Sequence, residues 1–388
     1  MAGGAVVLAS LLMRRPSRIR RRAREVSRLR GPCLPDSALQ RIVAPALTTM
    51  ALCNLPRGAL AAAPPGPATP ATAGALPMSY WSSAGLEGDR SLGLLWGLIW
   101  LSVAVVAIVS ILVVAGAMVR GARGRQLSAI PVTRAAGGTT FIYLGVGLST
   151  LVLLVYTGWT VATMASMAGR RAAALTIEVV GHQWWWEFHY GGAGDGDFTT
   201  ANEMHIPVGT QVRLSLKTAD VIHSFWVPAL GGKTDLIPGR TNTMWLEADR
   251  PGIYRGQCSE FCGVEHAQMA LRVIADDPTD YRAWLRSQQT AAPAPASDTA
   301  RQGLAVFLQH CSRCHAVRGT PATGTKGPDL SHLMTRTTLA AGMIANTMAN
   351  LGGWIADPQG IKPDVLMPDV PLTGSQLNAV TAYLETLK

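Results

Sequence analysis

Within the stretch Cys258-Ser-Glu-Phe-Cys262-Gly-Val-Glu-His266-Ala-Gln-Met269 stand two thiols, an imidazole and a thioether, and His223 lies upstream. Soft sulfur together with imidazole suits copper, whereas a thioether is a poor ligand for zinc. Two thiolates this close in the chain can lie between two metal ions, with His223 and His266 capping opposite ends. A shared thiolate core keeps its geometry when one electron is added, which is what electron transfer needs. On the cysteine pair alone, a disulfide outside the cytoplasm is an equal reading, and a Cys2His2 zinc site is a further one. Met269 and His223 count against both.

A second motif, Cys311-Ser-Arg-Cys314-His315, has the spacing of a c-type heme attachment site. There two thiols bond the vinyl groups and the adjacent imidazole becomes an axial ligand. A redox or zinc Cys-x-x-Cys that happens to precede His is the alternative, but no further ligand cluster lies near it. Met367, in Leu366-Met-Pro-Asp, is the expected second axial ligand, and a thioether on iron raises the potential. Met334, Met343 and Met348 compete for that role, although their helical spacing suits a core.

These residues must be positioned by three kinds of element. Residues 92–119 and 141–169 are apolar and uncharged, each longer than the roughly 20 residues a helix needs to cross a bilayer. The connection between them carries Arg120, Arg123, Arg125 and Arg134 and no acid, which places it in the cytoplasm and the rest of the chain outside. Residues 174–286 change to short alternating runs punctuated by Gly and Pro, which predict an antiparallel β-sandwich or barrel. Residues 287–298, rich in Ala and Pro, read as a flexible linker. Residues 299–388 carry helical patterns at 299–309 and 374–387.

Charged residues make up 15% of the chain, against about 25% in an ordinary soluble domain. The 48% hydrophobic content excludes a disordered chain, and 6 Cys in 388 residues exclude a disulfide scaffold. The formal charge of +10 is concentrated at the start, where ten Arg in residues 1–41 face only Glu25 and Asp36. That basic run, an apolar run at 42–53 and small residues at 59–63 have the order of a secretory signal. The basic pI therefore points to a leader and not to a nucleic-acid partner. Residues 1–63 are read as this removable segment and 64–90 as a flexible lead-in.

The residues then carry a family resemblance. Residues 80–286 resemble subunit II of heme–copper cytochrome c oxidases, through Gly181-His-Gln-Trp-Trp-Trp186, His223-Ser-Phe-Trp-Val-Pro228 and Lys233-Thr-Asp-Leu-Ile-Pro-Gly-Arg240 as well as the Cys motif. Residues 299–388 resemble a class I cytochrome c, including Gly327-Pro328-Asp329-Leu330. Together they are similar to a cytochrome-c-fused (caa-type) subunit II. The implied fold is a multidomain membrane protein: a transmembrane hairpin (91–170), an all-β cupredoxin-like CuA domain and an all-α cytochrome c domain.

The resemblance implies binuclear CuA ligands at His223, Cys258, the Glu260 carbonyl, Cys262, His266 and Met269. It implies a magnesium ion shared with subunit I at the Glu260 side chain, and electron transfer through Trp184. Heme c would be held covalently by Cys311 and Cys314, with His315 and Met367 on the iron. His182, His189, His205, His310 and His332 match no ligand position and are read as surface or hydrogen-bonded residues. The carboxylate that the family often places at the start of its second helix has no counterpart, since residues 129–143 contain no acid.

The expected function is to accept electrons from a respiratory donor and pass them through heme c and CuA to an oxygen-reducing subunit I. This chain has no site for oxygen itself. The implied partners are subunit I, subunit III, a cytochrome c or bc-complex donor, and membrane lipid, with no nucleic acid. The implied location is a bacterial inner membrane with both redox domains outside. Two other readings are a nitric-oxide reductase CuA subunit on the same scaffold and, in a different class, a membrane-anchored copper delivery protein. A covalent heme has no evident use in copper delivery.

Overall fold

The computed structural model describes residues 78, 81–122, 138–167, 173–191 and 196–388. The leader, most of the lead-in and the arginine-bearing connection lie outside the described residues.

Two long helices come first, α1 (Leu86–Ala122) and α2 (Gly138–Met167). Val106, Ile111, Val113, Leu144, Leu148 and Leu154 are all exposed, so the apolar surface is not confined to one stripe. The spans Leu86–Val119 and Thr139–Met167 have mean hydropathies of 2.9 and 1.8. Helices of this length that are apolar on every face need a lipid environment to cover them. The first helix starts earlier than residue 92 because Glu87 and Asp89 sit in its first turn, where the helix dipole favours acids. Arg90 donates from Nη1 to the Ser166 carbonyl at 2.8 Å, and the Tyr156 hydroxyl donates to the Leu94 carbonyl at 2.9 Å. These bonds tie the hairpin near its outer end.

Ten strands follow: β1 (Leu175–His182), β2 (Trp185–Tyr190), β3 (Phe198–Ala201), β4 (Glu203–Pro207), β5 (Val212–Thr218), β6 (His223–Trp226), β7 (Lys233–Leu236), β8 (Asn242–Leu246), β9 (Gly252–Cys258) and β10 (Ala270–Asp276). They form two five-stranded sheets, ordered β3-β2-β1-β5-β8 and β4-β10-β9-β6-β7. Alternate residues turn inward, as a half-buried strand requires. Ile177, Val179, Trp186, Phe188, Leu214, Leu216, Phe225 and Val273 fill the core between the sheets.

The expectation of an antiparallel sandwich needs one correction. β1 pairs with β5 in parallel, and β4 pairs with β10 in parallel. Between β1 and β5 the chain makes an antiparallel meander and crosses to the other sheet at β4, so it returns beside β1 in the same direction. Side-chain alternation reports which face is buried and carries no sign of strand direction.

Helix α3 (Pro278–Gln288) leaves the sandwich with Trp284 stacked on His205 and edge-on to Tyr190 and Phe198. The segment after it is not a free tether. The Ala292 amide donates to the Arg318 carbonyl at 3.0 Å, and the Gln289 side chain donates to the Gly196 carbonyl at 3.3 Å. The flexible linker expected from Ala/Pro content is thus laid along both domains.

The last domain has helices α4 (Asp298–His310), α5 (Met348–Ala356), α6 (Pro358–Ile361) and α7 (Gly374–Leu384), with a small hairpin of β11 (Thr338–Leu339) and β12 (Ile344–Ala345). Side chains of Ser297 and Thr373 accept bonds from the first turns of α4 and α7. The two helices cross at Gly303, where a Cβ would lie 1.9 Å from the Ala379 carbonyl oxygen. Only glycine permits this approach. Phe307 and Tyr383 pack beside it, with ring centroids 5.6 Å apart.

Candidate metal centres

Cys258 is the last residue of β9 and pairs with Phe225 of β6, whose first residue is His223. The chain then loops out and returns at Met269, just before β10. Its two ends are joined by the Cys258 amide donating to the Met269 carbonyl at 3.0 Å. The Ser259 amide donates to the Ser224 carbonyl at 3.0 Å, which ties the loop to β6. A 3-10 turn at His266–Gln268 brings His266 back toward the cysteines.

The loop thereby gathers six ligand-type atoms. The two Sγ atoms are 3.8 Å apart, far beyond the roughly 2.05 Å of a disulfide. Nδ1 of His223 is 3.9 Å from Cys258 Sγ, and Nδ1 of His266 is 3.5 Å from Cys262 Sγ. Met269 Sδ lies 3.9 Å from Cys262 Sγ, and the Glu260 carbonyl oxygen 3.2 Å from Cys258 Sγ. Ligand atoms of His223, Cys258 and Cys262 lie within 4.8 Å of one another. The donor set is soft, buried and shared between two thiols, which fits copper better than zinc.

The electrostatics agree with a metal-binding pair. The bond from Cys262, opposed by burial and helped by His223, holds the Cys258 thiol well below its ordinary value. Sharing that bond, together with burial, pushes the Cys262 thiol up. The bond the two thiols share thus sets their acidities apart.

Asp220 supports the arrangement from behind. Its Oδ1 is 2.8 Å from His223 Nε2, which leaves Nδ1 facing the sulfur. Backbone amides of Gln183 and Val221 donate to the same carboxylate at 2.7 Å each. Burial opposes its charge, but the bonds from His223 and these amides lower its pKa overall. Gly181 leaves room for the imidazole, since a Cβ there would meet the His223 ring at 2.8 Å.

Trp184 is only 7% exposed. Its indole N–H donates to the Cys262 carbonyl at 3.0 Å, and Gln183 Nε2 donates to the same oxygen at 2.7 Å. Gly263 is the close neighbour here, with φ of +122° and room for no Cβ beside the indole. The side chain of Glu260 is exposed, pointing away from the sulfur pair while its carbonyl faces it. Beside it Phe261 and Val264 are exposed at 75% and 68%.

Cys311, Cys314 and His315 follow directly after α4, and neither thiol is in a disulfide. Nδ1 of His315 lies 2.8 Å from the Pro328 carbonyl oxygen, which leaves Nε2 available to a metal. Burial outweighs that bond and lowers the imidazole pKa, so the ring is neutral as an iron ligand must be. Gly327 lies against the ring, where a Cβ would come within 2.7 Å of Cε1. These contacts fit an axial histidine of a c-type heme. Met367 is half-buried on the loop after α6, its carbonyl accepting from Gln359 Nε2 at 2.7 Å.

The remaining histidines mostly find partners. Glu187 lies 3.1 Å from His182 Nε2 and 3.2 Å from His189 Nε2, and Asp276 lies 2.6 Å from His205 Nδ1. His332 Nδ1 is 3.0 Å from the Lys388 carbonyl oxygen, whereas Nε2 of His310 is buried without a partner. Gln183 and Pro328 stand inside the Gly181–Trp186 and Gly327–Leu330 motifs but had no role assigned to them from the sequence, and Asp220 was missed, its only signal being its place three residues before His223.

The architecture is that of a membrane-anchored cupredoxin-like domain with a buried Cys-and-His centre, joined to a small heme-type domain whose Cys-and-His centre is half-buried. Comparison with known proteins makes this specific. Residues 196–275 match the family "Cytochrome C oxidase subunit II, periplasmic domain", and residues 300–388 match the family "Cytochrome c". Residues 196–275 thus carry a cytochrome c oxidase subunit II domain and residues 300–388 a cytochrome c domain, the combination found in a subunit II with a fused C-terminal cytochrome.

Cytochrome c oxidase subunit 2 of Alkalihalophilus pseudofirmus is 44% identical over 214 residues, which is 55% of this chain and 61% of that protein. The Bacillus subtilis protein of the same name is 33% identical over 233 residues, 57% of this chain and 64% of that one. The chain thus spans somewhat under two thirds of these relatives. The crystal structure of the periplasmic domain of subunit II of cytochrome oxidase from Bradyrhizobium japonicum is 35% identical. It covers 30% of this chain and 95% of that structure, with a TM-score of 0.29. The two matched families imply copper and heme, and a periplasmic domain anchored to a membrane.

Proposed function

We propose that this chain is the subunit through which electrons enter an aerobic terminal oxidase. Electrons from a respiratory donor pass by way of heme c and binuclear CuA to the heme–copper site of a separate subunit I. The convergence of six ligand-type atoms on the Cys258–Cys262 pair, with Trp184 bonded to the Cys262 carbonyl, is the observation that carries this reading.

His223, Cys258, Cys262, His266, Met269 and the Glu260 carbonyl would hold the copper pair, which would supply a one-electron centre. Cys258 and Cys262 would be its shared thiolate donors, and Asp220 keeps His223 turned with Nδ1 inward. The indole of Trp184 donates to the Cys262 carbonyl, while its backbone carbonyl accepts from Lys362 of the cytochrome domain, so this residue lies between the copper ligands and that domain. Cys311 and Cys314 would bond the heme covalently, and His315, oriented by the Pro328 carbonyl, and Met367 would be the side chains that ligate its iron. The exposed Glu260 carboxylate is free to reach a magnesium ion at the boundary with subunit I.

Subunit III, a bc-complex or cytochrome c donor, and a multi-pass position in the bacterial inner membrane complete the reading. Removing residues 291–388, which leaves α3 intact, tests it. Turnover of the oxidase complex with its native donor should fall steeply while the copper spectrum persists. Unchanged turnover at physiological ionic strength would remove the heme from the electron path.

A further inference from the structure

Lys362 is the least expected side chain in the chain. It sits just after α6, on the loop that leads to Met367, and it is only 2% exposed. Its Nζ donates to the Trp184 carbonyl at 2.8 Å and to the Gln268 carbonyl at 2.9 Å, both in the sandwich domain. A third bond, at 3.3 Å, reaches the Ala340 carbonyl of its own domain. Burial lowers its pKa to about 8, so an ammonium is present at neutral pH. Three carbonyls from three segments thus close around one buried charge, an arrangement costly to break because each bond is charge-assisted.

The surrounding contacts have the same direction. Ala340 and Ala341 both adopt positive φ, 53° and 59°, where alanine is strained. The Ala341 carbonyl accepts from the Ala270 amide of β10 at 3.1 Å, next to Met269. Glu203, 2% exposed on β4, accepts from the Thr337 and Thr338 amides at 2.9 Å. Arg272 of β10 donates to the Thr337 hydroxyl at 2.6 Å. Val365, three residues beyond Lys362, packs on the sandwich core. The strained turn and the Met367 loop are therefore both held by the other domain.

We propose that Lys362 is a positioning residue for electron transfer within the chain, fixing the Met367-bearing loop on the backbone carbonyls of Trp184 and Gln268. The cytochrome domain is then a stationary partner that covers the Trp184 face. An external donor must dock on the cytochrome domain and not at Trp184. This rests on the proposed function for its electron-transfer consequence, but the clamp itself is a property of the polypeptide.

The test uses the full chain in its purified complex, with Lys362→Met, Lys362→Arg and Glu203→Gln beside the wild type. Hydrogen exchange at the Ala270 amide reads the clamp directly, whatever metals are bound. Lys362→Met should raise that exchange about a hundredfold, and Lys362→Arg should restore most of the protection. Electron transfer from photoreduced heme to copper should slow by about tenfold or more in Lys362→Met and recover in Lys362→Arg, with the heme potential unchanged. Glu203→Gln should raise the exchange as well, by a smaller factor. Fast Ala270 exchange in the wild type, or protection and transfer rate both unchanged in Lys362→Met, would overturn the proposal. Protection lost in Lys362→Met from protein that holds neither copper nor heme would support the clamp while removing the proposed function.

Discussion

A buried histidine ligand is only as well placed as the group behind it, and for His223 that group is Asp220. Replacing it with Asn keeps the shape but removes the charge that accepts from Nε2. Asp220→Asn should weaken copper binding by about 10–100-fold in a chelator competition, with the fold unchanged. Cys258→Ser should abolish the copper centre outright, because a hydroxyl at neutral pH does not replace a bridging thiolate. At the heme, Met367→Ala should leave the covalent attachment intact, open the sixth position and lower the potential. The same effect from Met334→Ala instead would reassign the ligand; Met334 packs against the cytochrome core.

Glu187 gives a pH test at the same scale. Burial raises its pKa, but the bonds from His182 and His189 outweigh burial and hold the carboxyl at about 2, against an ordinary 4.5. A folded-state pKa below the unfolded one contributes stability that is fully present above 4.5 and lost as pH falls toward 2. Glu187→Gln should flatten that part of the acid limb in urea unfolding followed from pH 5 to pH 2, and should also remove the stability lost as pH rises through the raised pKa of His189, which its bond to Glu187 lifts against burial.

At the scale of elements, the crossing of α4 and α7 turns on Gly303. Gly303→Val would force side-chain atoms into the Ala379 carbonyl, so the helices must separate. The cost should be about 3 kcal/mol, read from denaturant unfolding followed by heme absorbance, with the copper spectrum unaffected. The elements were largely legible in the sequence because each carries its own local signal. Residues 175–180, 212–216 and 270–274 alternate and form strands, and the patterns at 299–309 and 374–387 form helices within a few residues of the expected ends. Strand direction was not legible, because β1 and β5 look alike whichever way they pair. The candidate copper ligands were legible because Cys258 to Met269 lie in one loop. Asp220 was not, since an acid in a loop before a strand is ordinarily a solvated turn residue.

Across the whole molecule, what the sequence hid is the contact between domains. Glu203 reaches Thr338 across 135 positions and Lys362 reaches Trp184 across 178, and no local pattern marks either pair. A lone Lys among polar residues reads as surface, and the Ala/Pro run at 287–298 reads as a tether. Packing of Ala292 on Arg318 and burial of Lys362 replace that tether with a fixed joint. The two long apolar helices, by contrast, were plain, because composition alone marks two uncharged runs long enough to cross a membrane.

Electron entry through this chain requires that one polypeptide hold both centres. Metal analysis and electron paramagnetic resonance of the purified full-length protein, from cells with ample copper, test this most directly. Two copper ions and one heme iron per chain are expected, with one unpaired electron shared between the two copper nuclei. Stoichiometric zinc with no copper, or copper whose electron stays on a single nucleus, would contradict it.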